Sequence, residues 1–130
     1  MPGAVLGAWQ SDGDAAIAGT ALLDSRLRQV LLAALEGRRR KVIRELVRGR
    51  SGRILAYCLG LIAEEEYRDL DLIYRIRNCF AHHFPRPTFE SQPVAERCRQ
   101  LSTYRLGMDA RAAFERAVWR VVARLSRPLA

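Results

Sequence analysis

The chain has 130 residues, 49% hydrophobic and 28% charged, which suits one folded domain with its own core and excludes a disordered segment. Twenty-two Lys and Arg against fourteen Asp and Glu leave a net charge of +8, and every positive residue except Lys41 is an arginine. The planar guanidinium fork matches phosphate oxygens, so nucleic acid is the partner this balance points to, with solubility as the plainer use.

Residues 1–13, with Gly3, Gly7 and Gly13 and no sustained period, read as a flexible arm ahead of a single helical domain over 14–130. Ser11, Asp12 and Asp14 are candidate N-caps. From about Asp14 to Glu36 the residues Ile17, Ala21, Leu22, Leu27, Val30, Leu31, Ala34 and Leu35 recur at helical spacing, with Gly37 as a stop. Arg38, Arg39, Arg40 and Lys41 open a second helix to about Arg48, striped by Val42, Ile43, Leu46 and Val47. Positive charge there opposes the helix dipole and reads as a solvated face or an anion contact. Gly49 to Gly52 form a joint, from which Ser51 caps a third helix carrying Arg53, Ile54, Leu55, Tyr57, Cys58 and Leu59. Gly60 either ends that helix or permits close packing.

Glu64, Glu65 and Glu66 are an acidic first turn for a fourth helix running to about His83. Tyr67, Leu70, Ile73, Tyr74, Phe80 and Ala81 form its apolar side, and Arg68, Asp69 and Asp71 are expected outside. Pro85 and Pro87 end it. Pro93 is placed as the first residue of a fifth helix through Val94, Ala95, Cys98 and Leu101. Asp109 is expected to cap a sixth, striped by Phe114, Ala117, Val118, Val121, Val122 and Leu125, with Trp119 in the core and Pro128 closing it. No segment alternates with period two. The expectation is an all-α antiparallel bundle of five to six helices, with the fourth at its centre.

Cys58, Cys79 and Cys98 are odd in number and contain no C-x-x-C pair, which argues for reduced, mostly buried thiols and against a disulfide framework or zinc site. No cofactor and no metal are expected. The first residues lack the basic start of a signal peptide, and no apolar run approaches the ~18 residues of a membrane span. The reading is a cytoplasmic protein without a membrane partner.

The residues with the most chemistry lie near the end of the fourth helix. His82 and His83 are the only histidines and follow Arg75 and Arg77. Asn78 and His82 share a helix face. Arg77 stands ~140° from His82, though its long side chain can bend toward it. Arginine with histidine is what metal-free phosphodiester chemistry on RNA requires. The imidazole moves protons near neutral pH, and the guanidinium holds the phosphate and offsets charge in the transition state. One histidine manages one proton transfer, and a second copy of the helix in a two-fold dimer supplies another. Arg77, His82 and Asn78 are therefore the candidate catalytic residues, with Arg75 and His83 as candidate RNA contacts. The plainer alternative is a helix-end histidine serving the dipole and the last carbonyls. Gly49-Arg50-Ser51-Gly52 lacks the P-loop pattern, and Trp9 and Trp119 are not interleaved with basic residues as a stacking platform would be.

A resemblance joins these residues. The runs Leu55-Ala56-Tyr57-Cys58-Leu59-Gly60-Leu61-Ile62, Glu66-Tyr67-Arg68-Asp69-Leu70 and Ile73-Tyr74-Arg75-Ile76-Arg77-Asn78-Cys79-Phe80-Ala81-His82 resemble the mannitol operon repressor-like family, with looser likeness over about Asp14 to Tyr104. The closing stretch also resembles the arginine-to-histidine signature of the wider HEPN superfamily, with Arg77 and His82 on the signature pair and Asn78 on the polar residue after the arginine. The HEPN resemblance implies an all-α bundle, a homodimer through the motif helix, and RNA binding or metal-independent RNA cleavage. The family name implies transcriptional regulation, yet the chain shows neither a helix-turn-helix with a basic recognition helix nor zinc-finger spacing.

Two functions follow. One is a HEPN-like endoribonuclease of the toxin or defence type, acting as a dimer on RNA, with an antitoxin or regulatory protein as a further partner. The other is a non-catalytic regulator or protein-interaction module in which the same residues bind RNA or stabilise an interface.

Overall fold

A computed structural model describes residues 9–35 and 40–127, and within them the chain is an all-α bundle of six helices. These are α1 (Asp12–Ala34), α2 (Arg40–Leu46), α3 (Gly49–Cys58), α4 (Glu64–His82), α5 (Val94–Arg99) and α6 (Ala110–Leu125). Most of the expected arm, the stop at Gly37, Arg38 and Arg39 of the basic run, and Pro128 lie outside the described residues.

α1 begins where Ser11 accepts a hydrogen bond from the Asp14 N–H at 3.1 Å, with Asp12 and Asp14 at the positive end of the helix dipole. Its buried face is Ala15, Ala16, Gly19, Thr20, Leu23, Leu27 and Leu31. That corrects the expected stripe: Ala21 and Ala34 are exposed, whereas Leu23 is fully buried. Small residues occupy the inner face because neighbours come close there. A Cβ on Gly19 would stand 3.3 Å from the Trp9 ring, and Trp9 stacks on Trp119 with centroids 5.5 Å apart.

α2 buries Ile43, and Val47 just beyond its end is buried too, while Val42 and Leu46 stay exposed. Ser51 does not cap α3, which starts two residues earlier. Its hydroxyl donates to the Leu46 and Arg48 carbonyls at 2.6 and 2.9 Å and ties the two helices together. The inner face of α3 is Gly52, Arg53 and Ala56, and the expected Ile54, Tyr57, Cys58 and Leu59 are exposed.

α4 opens with the Glu66 carboxylate accepting from the Ala63 N–H at 2.7 Å, half of a capping box that an alanine cannot complete. It buries Leu70, Ile73, Ile76, Cys79 and Phe80. Two expectations reverse here: Ala81 is exposed and Asp69 is buried. The Asp69 carboxylate accepts from the Ser102 N–H at 2.9 Å and from the Ser102 hydroxyl, a partner from the loop after α5. After His82 the backbone turns extended at His83, with φ −104° and ψ 141°. Phe89 returns the loop to the core between Phe80 and Phe114, with ring centroids 5.1 and 5.3 Å away. Pro93 is the residue before α5 and not its first, and Asp109 precedes α6 without a side-chain bond to it. The α6 stripe is buried as expected, with Trp119 half-buried. α4 packs on α1, α3, α5 and α6, while α1 packs on α3, α4 and α6 and α6 on α1, α4 and α5, so α4 meets the most neighbours, as its expected central place requires.

Candidate nucleic-acid interface on the fourth helix

Along α4, Tyr74, Arg77, Asn78, Ala81 and His82 fall at i, i+3, i+4, i+7 and i+8 and make one stripe. Ile73, Ile76 and Phe80 take the opposite side into the core, which turns the stripe outward. Asn78, Ala81 and His82 are exposed, while Tyr74 and Arg77 are half-buried on the edge that meets α1. There Arg77 borders a depression with Ile17, Ala21, Asp24 and Tyr74.

The wall of that depression is stiffened by hydrogen bonds. The Tyr74 hydroxyl donates to Asp24 at 2.6 Å, and Arg28 pairs with the other Asp24 oxygen at 2.9 Å. The Arg53 guanidinium lies 4.3 Å above the centre of the Tyr74 ring and within 3.7 Å of Asp71. Burial, and then the Asp24 carboxylate, push the Tyr74 phenol well above its ordinary range. Tyr74 is thus a fixed donor and not a proton shuttle.

The structure brings Arg77 and Asn78 together, the guanidinium Nη1 donating to Asn78 Oδ1 at 3.3 Å. It does not bring Arg77 to His82. Among the described residues no hydrogen bond joins them, and the helix sets them ~140° apart. His82 is the last residue of α4, and both it and His83 are exposed. Arg75 stands on the His82 side of the helix, ~20° from it, and pairs with Asp71 at 2.9 Å.

Arg97 escaped the sequence reading. It reaches from α5 to α4, its Nη1 donating to Cys79 Sγ at 2.9 Å and lying 3.5 Å from the Arg75 carbonyl oxygen. The only local sign was an arginine beside the buried Cys98, which does not say which helix it will meet. Arginines therefore flank both edges of the stripe: Arg77 beside α1, and Arg75 with Arg97 beside α5.

Other reactive groups are quiet. Cys58 is exposed, Cys79 and Cys98 are buried, and none is bridged. Burial, aided by the Asp109 charge, pushes the Cys98 thiol up to about 12. Among the described residues no group of three His, Cys, Asp or Glu could hold a metal ion, and no helix is long and apolar enough to cross a membrane. No protein-family model, curated protein or solved structure matches the chain.

Proposed function

We propose that the chain is a HEPN-like RNA-binding protein, a metal-independent endoribonuclease of the toxin or defence type working as a homodimer. The observation that carries this reading is the open stripe on α4, with Arg77 at one edge, His82 at the other and exposed Ala81 between them. Within one chain the guanidinium and the imidazole point to different sides. Two copies of α4 packed about a two-fold axis place Arg77 of one beside His82 of the other, and Ala81 leaves room for that approach.

In such a site Arg77 grips the scissile phosphate, steered by its bond to Asn78. A neutral His82 takes the proton of the 2′-hydroxyl as that oxygen attacks phosphorus. The 5′-oxygen of the next nucleotide leaves with a proton from the second, protonated imidazole. The products are a 2′,3′-cyclic phosphate and a 5′-hydroxyl. Arg75 and His83 contact flanking phosphates, and an antitoxin or regulatory protein is a further partner. The alternative, a non-catalytic regulator, draws support from the intramolecular partners that Arg77 and Arg75 already hold.

Purified protein is expected to cleave single-stranded RNA in EDTA and leave 2′,3′-cyclic phosphate ends. His82→Ala and Arg77→Ala each lower the rate by about 100-fold or more with helicity unchanged. Wild-type protein that binds RNA or a protein partner without cutting, or variants that cut like wild type, would replace this reading with the regulator.

A further inference from the structure

Phe84 is 98% exposed, two residues beyond the end of α4. A whole aromatic side chain in water forgoes on the order of 150–250 Å² of burial, so its presentation calls for a reason in a way that a grazing surface leucine does not.

The loop that carries it is braced. Five residues on, Phe89 is buried against Phe80 and Phe114, and its N–H donates to Asp12 at 3.0 Å. The Thr88 N–H donates to Ser91 Oγ at 3.0 Å. Two residues on, the Arg86 guanidinium lies over Gly13 in the first turn of α1, so close that a Cβ there would stand 2.8 Å from it. The chain on both sides of Phe84 is thus held to the body while its ring stays in solvent.

The surroundings say what covers it. His82, His83, Pro85 and Arg86 are all exposed. An apolar protein partner buries a continuous apolar patch. A ring set among imidazoles and a guanidinium, on a chain of net charge +8, is instead the composition of a single-stranded nucleic-acid platform, where cations track the phosphates and the ring takes a base. Leu106, 99% exposed, offers no flat face for that purpose.

We propose that Phe84 is a base-stacking platform: the nucleobase beside the phosphate held at Arg77 and His82 lies flat on its ring. This rests on the RNA reading above and adds the residue that registers the strand on the site.

The test is the affinity of the full chain for a fluorescein-labelled 2′-O-methyl RNA strand, which lacks the attacking hydroxyl and is not cut. Phe84→Ala and Phe84→Leu are expected to weaken binding roughly 5- to 150-fold, the effect of losing one stack, while Phe84→Trp binds at least as tightly as wild type. The salt dependence stays unchanged, because no charge is removed. Sedimentation of the same proteins is expected to show equal dimer content. Phe84→Ala binding like wild type, Phe84→Leu matching Phe84→Trp, or Phe84→Ala dissociating the dimer would each overturn the platform and leave the RNA reading standing. Wild-type protein that binds no RNA would remove both.

Discussion

Asp69 is an acidic residue only 1% exposed, with Ser102 supplying both of its close donors. Asp69→Ala removes the acceptor of the Ser102 N–H and O–H, though the hydroxyl oxygen still accepts from Arg120 at 2.6 Å, and is expected to cost about 1–3 kcal/mol in urea denaturation. Desolvation raises the carboxyl above its ordinary 3.8, outweighing the two bonds from Ser102. A carboxyl that holds its proton more tightly when folded stabilises the fold fully below its unfolded pKa and loses that contribution as pH rises through the folded value. Relative to Asp69→Asn, wild type is therefore expected to lose stability from about pH 4 upward. Parallel stability curves for the two proteins would contradict this. Asp69 read as an outward residue in sequence because it lies between Arg68 and Asp71, both charged. Its partner is 33 residues away in a loop, and no local period carries that information. Arg77, Asn78 and His82 were legible for the opposite reason. They belong to one uninterrupted helix, whose spacing alone sets Asn78 beside His82 and Arg77 ~140° from it. What spacing could not supply is the α1 edge against which Arg77 rests, or Arg97 arriving from α5.

The six helices differ in how openly their sequences declare an inner face. α6 was plain, because Phe114, Val118, Val121, Val122 and Leu125 leave one way to bury a stripe. α1 misled because alanines on both faces blur the moment, and contact with Trp9 selects the small-residue side. α3 misled more thoroughly. Its inward residue is Arg53, drawn in by the Tyr74 ring and Asp71, while Ile54 and Leu59 remain in solvent. The α2–α3 joint depends on Gly52, where a Cβ would fall 2.2 Å from the Val47 carbonyl oxygen. Gly52→Ala must shift backbone and is expected to destabilise by about 1–3 kcal/mol, the usual cost of overpacking. Gly60, at φ +74° with open space around it, ends α3 and is not a packing glycine, so Gly60→Ala is expected to cost only about 1 kcal/mol. Equal losses at the two positions in matched urea titrations would contradict that distinction.

At the scale of the whole molecule, one chain carries the guanidinium and the imidazole of the proposed site without joining them. Arg77 is tied back to Asn78 at the α1 edge, and His82 stands free at the helix end. The net charge of +8 favours a polyanionic partner, and in the proposed dimer a second copy puts a guanidinium and an imidazole on the same phosphate. The account therefore depends on sites shared between protomers. Subunit mixing tests this most directly, with Arg77→Ala and His82→Ala proteins denatured together, refolded together and assayed on single-stranded RNA. Each mixed dimer then carries one Arg77 and one His82, supplied by opposite protomers, and the mixture is expected to cut faster than either parent protein but well below wild type, because the second imidazole is missing. A mixture in which mixed dimers form yet stays as inactive as its parents would show that the two residues do not meet across an interface.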